Sequence, residues 1–341
     1  MVIDLFVCAI IAVTLELRSS LMPIEFARRE FLAGMVAVTA AKAASRFLPP
    51  SDSSSPFRVS VISDEISQDF GHACEVASRE FGMHWIELRG MWKKNIVNLD
   101  EKEVAEARGI LEKYQLKVTD IASPLFKVDW PGAPKSKFSE AKNFGADFNW
   151  QEQDEVLEHA IDMAKSFQTD RVRCFDFWRL EDQAPYRAAI NDKLRQAAGK
   201  AEKKGIILVL ENESACNTAT GAEAAKVLRA VQSPSLMLNW DPGNAAASGE
   251  TPYPDGYNLL PKDRLGHCHC KDAVKQGNKY DWAPMGGGII DWVGQFKALQ
   301  RDGYRYAVSL ETHWNGGGPP EECSRKSWAG MKKLLKEAGA V

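Results

Sequence analysis

Four apolar runs in the second half of the chain each lead into a side chain that binds hard divalent cations. The four side chains are Glu211, Asp241, His269 and Glu311. Three carboxylates and one imidazole form an oxygen-rich ligand set, which suits Mn²⁺ or Mg²⁺ better than a structural zinc site, where thiolates and imidazoles are preferred. Zn²⁺ and Co²⁺ are compatible with the same set because imidazole also binds them. The residues therefore predict one divalent metal ion as a cofactor.

Each of these residues also has an ordinary structural explanation when it is taken alone. Glu211 could start a loop, Asp241 could form a turn, and His269 could be a hydrogen-bonded core histidine. Their recurrence at four equivalent positions favours a metal site. A metal ion there would polarise a carbonyl group, and a nearby carboxylate that keeps one oxygen free could remove a proton from the adjacent carbon.

Segments with helical periodicity separate the apolar runs, so that β and α elements alternate along the chain. Earlier strands are predicted at 58–63, 84–89, 117–122 and 171–175, which makes eight βα units in all. Such alternation is typical of a (β/α)8 TIM barrel, in which the carboxyl ends of all strands open on one mouth. The four side chains would converge there, and the segment 126–149 would form a long loop over the mouth.

The predicted strand around His269 shows which neighbours share its direction. Successive side chains of a strand face opposite sides, so His267 and Lys271 should point into the barrel with His269. Cys268 and Cys270 should point outward and pack against helices rather than bind zinc. The seven cysteines of the chain have no regular spacing, so they do not predict a disulfide framework.

Composition excludes some classes of partner. The formal net charge of -3 gives no sign of the basic face that a nucleic-acid-binding protein needs. Ten tryptophans are present, and four of them lie near predicted strand ends, where flat aromatic walls would suit a sugar and where simple packing is an equally good explanation. These four are Trp130, Trp178, Trp240 and Trp314.

The first 56 residues have the features of an export signal followed by a linker. Arg28 and Arg29 precede Phe31 and Leu32, and a weakly apolar stretch, an A-x-A pattern at 41–43 and a Pro/Ser-rich segment at 49–56 follow in order. This order predicts export of the folded protein by the twin-arginine machinery, a periplasmic or secreted location, and a barrel domain at 57–341. An amphipathic helix with two chance arginines is the alternative.

Residues upstream of this signal fit it less well. The apolar stretch 5–15 is too short to span a bilayer, which takes about 20 residues. Twin-arginine signals begin close to the start of a protein, so Met22 is a candidate for the true initiator. No stable membrane span is expected in the mature chain.

The ordered set of motifs resembles the xylose-isomerase-like barrel superfamily and, within it, the sugar phosphate isomerase/epimerase group, over about residues 57–339. The motifs are Leu210–Asn212, Asn239–Asn244, His267–Asp272 and Ser309–Glu311, with Glu87–Arg89 and Gly286–Trp292 in addition. The resemblance implies that Glu211, Asp241, His269 and Glu311 bind the metal. It also implies that Glu211 and Glu311 are catalytic and exchange a proton on opposite faces of an enediolate.

Seven further residues are expected to face the substrate because of their positions relative to these motifs. They are Glu87, Arg89, Glu213, Asn244, His267, Lys271 and His313. Asn244 stands where family members often carry His or Asn. Glu213 departs from the family, because many relatives carry a histidine at this position, and this departure prevents a direct transfer of substrate specificity.

The resulting expectation is a metal-dependent isomerase or epimerase that acts on a sugar or sugar derivative. Two alternatives share the fold: a lyase that cleaves a 3-keto-glycoside or C-glycoside after the same proton abstraction, and a non-catalytic sugar-binding barrel. A DNA-repair nuclease of the superfamily would need more ligands than the six histidines of this chain provide, and a basic groove. Relatives are often dimers or tetramers, which leaves a homo-oligomer open.

Overall fold

The computed structural model describes residues 55–139, 148–277 and 279–341. The predicted export signal and almost all of the linker lie outside these residues, as does part of the long loop predicted at 126–149. The domain boundary at 56/57 and the twin-arginine signal therefore stay predictions.

Eight parallel strands form the barrel that the sequence predicts. They are β1 (Arg58–Val61), β2 (Trp85–Leu88), β3 (Lys117–Ile121), β4 (Arg171–Cys174), β5 (Ile207–Glu211), β6 (Leu236–Trp240), β7 (Leu265–Cys270) and β8 (Ala307–Leu310). Their order in the sheet is β1-β8-β7-β6-β5-β4-β3-β2, and an isolated parallel bridge between Ile62 and Glu87 joins the two ends. The ring is therefore nearly closed, and every strand's carboxyl end faces the same mouth.

An α-helix of six residues or more follows each strand, and one further helical turn, at Tyr257–Leu259, precedes β7. The helices are α1 (Phe70–Glu75, continued by a π turn at Val76–Glu80), α2 (Glu101–Tyr114), α3 (Gln153–Ser166), α4 (Arg187–Glu202), α5 (Gly221–Ala230), α6 (Pro242–Ala247), α7 (Trp292–Arg301) and α8 (Pro320–Glu337). Local signals explain their ends: Asp100 and Glu103 form a capping box at the start of α2, and Gly205 adopts a positive φ of 74° after α4.

The eight predicted βα units imply a helix after β6, but the sequence set no bounds for α6, and a turn at Asp241 was the alternative to a metal ligand. The Asp241 carboxylate accepts a hydrogen bond from the backbone N–H of Asn244 at 2.9 Å and so caps the helix, and Pro242 occupies its first position. The short helix fixes the direction of the Asp241 side chain at the mouth.

Two β-hairpins also lie at the mouth of the barrel. One pairs Gly90–Met91 with Lys94–Asn95, and the other, the site hairpin, pairs Asp272–Gln276 with Lys279–Ala283. The Asp272 carboxylate anchors the site hairpin, because it accepts hydrogen bonds from the backbone N–H groups of Gly286 and Gly288 at 3.0 and 3.1 Å. A Cβ at position 288 would lie 2.1 Å from Asp272 Oδ1, so this close approach requires glycine.

The outward face of the barrel strands packs against the helices. Cys268 and Cys270 are buried in this core, as the alternation along β7 predicts. Trp240 also faces outward and donates its indole N–H to Gln295 at 3.0 Å, so it is a packing residue rather than a sugar wall. None of the described helices is both long and apolar enough to cross a membrane.

Candidate active site

The four predicted ligands come together at the mouth from four consecutive strand ends. Each offers one ligand atom, and these atoms all lie within 4.8 Å of one another. His269 Nδ1 lies 3.3 Å from Glu311 Oε2, 3.4 Å from Glu211 Oε1 and 3.8 Å from Asp241 Oδ2. One imidazole nitrogen is thus surrounded by three carboxylate oxygens.

The chemistry of this group fits a divalent cation. His269 Nδ1 is buried and has no hydrogen-bond partner, which is costly unless the atom has a ligand. Adjacent ligands of an octahedral ion with bonds of about 2.1 Å lie about 3 Å apart, and the three distances to His269 Nδ1 are only slightly longer. The four atoms are therefore close enough together to hold one ion.

Glu87 contacts His269 at Nε2, the ring nitrogen that does not face the three carboxylates. Its Oε1 lies 3.0 Å from His269 Nε2 and its Oε2 lies 3.0 Å from His267 Nε2, while His267 Nδ1 lies 3.7 Å from Asp120 Oδ1. Burial alone would raise the pKa of Glu87, but the two imidazoles outweigh it and hold that pKa well below its usual range. A carboxylate that accepts a hydrogen bond from the Nε2–H group keeps the proton on Nε2 and leaves the Nδ1 lone pair for a metal.

This arrangement differs from the substrate contacts that the sequence suggested for Glu87 and His267. Both side chains are completely buried, and the two oxygens of Glu87 are already taken by imidazoles. The structure therefore places these two residues behind the ligands rather than along the mouth.

Each of the two glutamates is also held by an arginine. Arg173 Nη1 lies 3.1 Å from Glu211 Oε2, and Arg89 Nη1 lies 3.0 Å from Glu311 Oε1. Burial would raise the pKa of Glu211, but His269 and Arg173 lower it to about 2. The oxygen of each glutamate that does not face His269 is therefore ion-paired with an arginine, so proton transfer by either glutamate would have to compete with that pair.

Asn244 and Lys271 complete the set of contacts around the ligands. Asn244 Nδ2 donates to Glu211 Oε1 at 3.2 Å. Lys271 Nζ lies 2.7 Å from Glu311 Oε2 and 2.9 Å from Asp241 Oδ2. Burial would lower the pKa of Lys271, but these carboxylates outweigh it and raise that pKa, so the side chain is an ammonium ion.

Trp282 places an aromatic ring beside Lys271 and His313. The site hairpin places the centre of its ring 4.7 Å from Lys271 Nζ and 5.9 Å from the ring of His313. Trp282 is not among the four tryptophans that the sequence suggested as sugar walls or packing residues, because the hairpin was not predicted.

The rim beside Glu311 is occupied by Arg89. The guanidinium group contacts Asp64 at 3.1 Å and Glu65 at 2.6 Å, in addition to Glu311. His313 Nε2 lies 3.3 Å from Glu311 Oε1 and 3.4 Å from Glu65 Oε1. Although Glu65, Glu311 and His313 have ligand atoms close enough for a second cation, Arg89 already supplies the positive charge there.

Glu213 lies on the loop after β5, away from the four ligands but within range of their charges. Its Oε2 is 3.6 Å from Lys127 Nζ, and that ammonium group lies 4.5 Å from the centre of the Phe175 ring. Lys127 comes from the long β3–α3 loop, so the part of that loop that the structure describes does reach the mouth.

Several residues around the site escaped the sequence analysis, and three of them show why. Arg173 is a charged residue within a fully buried strand, which is itself a signal of an inward, paired position. Asn239, whose Nδ2 lies 3.1 Å from His269 Nε2, is likewise a buried polar residue in a strand. Lys127 lies in an aperiodic loop, where no sequence pattern indicates its partner.

Comparison with known proteins identifies the family. The sequence model of the xylose isomerase-like TIM barrel matches residues 76–338. The chain belongs to this family. No curated protein matches the sequence significantly.

Solved structures share the barrel at low sequence identity. The probable 3-DHS dehydratase AsbF of Bacillus anthracis is 19% identical, with a TM-score of 0.62 over 82% of this chain and 98% of that one. The IOLI protein, solved with a zinc atom, is 14% identical, with a TM-score of 0.62 over 82% and 98%. D-allulose 3-epimerase of a Methylomonas species is 17% identical, with a TM-score of 0.56 over 83% and 98%. At these identities the likeness shows the fold alone.

Proposed function

We propose that the chain is a divalent-metal-dependent isomerase or epimerase of a sugar or sugar derivative. The observation that carries the proposal is the position of His269 Nδ1, which is buried, has no hydrogen-bond partner and faces three carboxylate oxygens at 3.3–3.8 Å. Family membership and the epimerase among the structural neighbours support the same reading.

Glu211, Asp241, His269 and Glu311 would hold the metal, and their oxygen-rich set favours Mn²⁺ or Mg²⁺ over Zn²⁺ or Co²⁺. When bound, such an ion polarises a ketose carbonyl and makes the hydrogen on the neighbouring carbon more acidic. The charge that develops on the substrate oxygen would lie close to the Lys271 ammonium group, which stands between Asp241 and Glu311.

The two glutamates are placed to move the proton. Glu211 removes it from the carbon to give an enediolate, and Glu311 returns a proton from the other side of the site, which inverts the carbon. Glu311 must therefore carry a proton when it acts; it regains that proton from solvent and Glu211 returns the proton that it removed to solvent before the next turnover, while the Lys271 ammonium group stays 2.7 Å from Glu311 Oε2.

Arg173 and Arg89 set the strength of these bases. An arginine at 3.0–3.1 Å stabilises the ionised carboxylate, so each glutamate is a weaker base than a free carboxylate. The carbon acid must therefore be strongly activated before proton transfer, which is the reason the proposal requires a metal. Asn244 and Glu87 act through the glutamate and histidine that they contact.

A lyase that begins with the same proton abstraction is the second candidate, and the dehydratase among the structural neighbours favours keeping it. The two reactions differ only in whether the enediolate is reprotonated or expels a leaving group. The third candidate function is sugar binding by the barrel without catalysis.

Solvent exchange separates these functions. Metal-loaded protein is incubated in D₂O with a panel of ketoses and 3-keto-glycosides, and deuterium is located by NMR. An isomerase or epimerase incorporates deuterium at one carbon, and a lyase releases the aglycone. Thermal stabilisation by a sugar without exchange would identify a binder and contradict the proposal. Glu311→Gln, assayed at a metal concentration that saturates it, should lose exchange, because it keeps the size of the side chain but cannot transfer the proton.

We also propose export of the folded protein through the twin-arginine route, on the strength of the sequence order at 27–43. N-terminal sequencing of the mature protein tests this. We expect the chain to start at Ala44, whereas a chain that starts at Met1 or Met22 would contradict export with cleavage.

A further inference from the structure

The end of the barrel opposite the mouth carries a second cluster of charged and aromatic side chains. In a parallel barrel the first residues of all strands lie at this end, which we call the floor. The floor cluster combines the first residues of β1 to β4 with the residues that precede β4 and β8: Arg58, Trp85, Lys117, Asp170, Arg171 and Tyr306. It shares no residue with the candidate active site.

Arg171 lies across the inside of the floor. Its guanidinium carbon is 4.0 Å from the centre of the Tyr306 ring, and its Nε donates to the backbone carbonyl of Gly266 at 2.9 Å. Strands β5 and β6 separate β4 from β7, so these contacts are made through the interior of the barrel. Because Arg171 is only 2% exposed, its positive charge is fixed beneath the surface of the floor.

Arg58 and Lys117 place two more positive charges beside this arginine. Both contact the ring of Trp85, with the Arg58 guanidinium carbon 4.8 Å and Lys117 Nζ 5.4 Å from its centre. The backbone N–H of Arg58 donates to the carbonyl of Tyr306 at 3.1 Å, which brings Arg58 next to the residue whose ring Arg171 contacts. Arg58 is partly exposed and Lys117 is exposed, so a ligand can reach both from solvent.

The negative charge in the floor cluster does not match these cations. Asp170 is ion-paired with Arg171 Nη1. Within the part of the chain that the structure describes, neither Arg58 nor Lys117 forms an ion pair with a carboxylate. Three cations and one carboxylate give the cluster a formal charge of +2, although the whole chain carries -3. Burial and the repulsion from Arg171 lower the pKa of Arg58, as expected where positive charges lie together with too little counter-charge.

We propose that the floor cluster is a binding site for a phosphate or sulfate group. Such an oxyanion would supply the missing negative charge, and arginine and lysine are the side chains that bind it by charge-assisted hydrogen bonds. The Trp85 ring holds Arg58 and Lys117 at the entrance, and Arg171 adds its fixed charge from below. The proposal does not depend on the proposed function, because the floor lies at the other end of the barrel from the four candidate ligands.

Inorganic phosphate and sulfate are the probes for this site. Each is titrated calorimetrically into the full-length wild type, Arg58→Met and Lys117→Met, at an ionic strength held constant with sodium chloride. We expect Arg58→Met to weaken the binding of both anions about tenfold, and Lys117→Met about threefold because its ammonium group is exposed and screened by salt.

Arg108→Met and Lys226→Met are the matched controls, since they remove an exposed arginine from α2 and an exposed lysine from α5. Their anion affinities should equal that of wild type. Circular dichroism verifies that each variant is folded, and Lys117→Met alone decides if Arg58→Met does not fold. An absence of anion binding, an affinity that neither floor substitution changes, or an equal loss in the control variants would overturn the proposal.

Vesicles show whether the phosphate group can belong to a lipid. Wild type and Arg58→Met are mixed with phosphatidylglycerol vesicles, or with phosphatidylcholine vesicles as the control, and separated by flotation. Binding to phosphatidylglycerol that depends on Arg58 would assign the site to an anionic headgroup. Binding of free phosphate without binding to vesicles would assign it to a small anion.

Discussion

Replacement of Glu87 by glutamine should weaken metal binding although Glu87 is not a ligand. In the native site its two oxygens accept from His269 Nε2 and His267 Nε2, both at 3.0 Å. A glutamine turns one of these acceptors into an NH₂ donor. The imidazole that faces the donor must then carry its proton on Nδ1, and if that imidazole is His269, its metal-binding nitrogen is blocked.

The structure also limits the size of this effect. The amide can turn so that its oxygen faces His269 and its NH₂ faces His267, whose Nδ1 proton would then point toward Asp120 Oδ1 at 3.7 Å. This orientation preserves the ligand nitrogen and loses only the negative charge of Glu87. Residues that hold a metal-binding histidine contribute about 10- to 100-fold in affinity, so we expect the lower end, about tenfold or about 1.4 kcal/mol.

Competition with a chromophoric chelator measures the affinity for Mn²⁺ or Zn²⁺ directly. Asp120→Asn is the matched control, because it also removes a buried carboxylate of the same network but one that does not contact His269. We expect its metal affinity to change less than about threefold. If Glu87→Gln binds metal as tightly as wild type, the reasoning about His269 is refuted.

Three further predictions follow from other contacts. Burial and the neighbouring Glu87 raise the pKa of Asp120 to about 6, above its unfolded value of about 3.9. The folded protein therefore holds this proton more tightly than the unfolded chain does, and the free energy of unfolding falls as pH rises from about 4 to about 6. In urea unfolding of metal-free protein, Asp120→Asn should therefore gain about 2 kcal/mol relative to wild type between pH 4.5 and 7.5, and a difference that does not change with pH would contradict this. Glu311→Gln should stay folded, bind metal more weakly and lose turnover; surviving activity would show that Glu311 does not transfer the proton. Trp282→Ala should raise the Kd for the sugar about tenfold while metal affinity is unchanged, as removal of an aromatic platform predicts, and an unchanged sugar affinity would exclude Trp282 from the binding surface.

The barrel and the convergence of the ligands were predictable because they depend on local patterns. Apolar runs with helical segments between them define parallel strands, and the carboxyl ends of such strands meet at one mouth. Glu211, Asp241, His269 and Glu311 each lie at or just beyond such an end. The alternation along β7 likewise separates His267, His269 and Lys271 from the two cysteines.

The pairing of side chains from distant elements was not predictable in the same way. The contacts of Glu211 with Arg173 and of Glu311 with Arg89 join different strands, and the side-chain geometry decides them. These two pairs change the chemistry, because they weaken both glutamates as bases. Likewise, nothing in the local pattern indicates that Glu87 would bridge two histidines instead of facing the substrate.

The site hairpin was only partly predictable from the sequence. Gly277 and Asn278 form a turn signal between two short polar and aromatic segments, so the hairpin could have been predicted. Its consequence could not, since the position of Trp282 beside Lys271 depends on the anchoring of the hairpin by the Asp272 carboxylate. Composition gave no means of selecting Trp282 among the ten tryptophans, whereas the fold places it beside Lys271.

Metal analysis of the purified protein tests the central claim most directly. Elemental analysis of wild type, His269→Ala and Cys268→Ser compares the proposed ligand with its outward-facing neighbour on the same strand. The account predicts about one divalent ion per chain in wild type and in Cys268→Ser, and a large loss in His269→Ala. A wild-type protein that holds no divalent ion after incubation with Mn²⁺, Mg²⁺, Zn²⁺ or Co²⁺, or a loss in Cys268→Ser instead of His269→Ala, would contradict it.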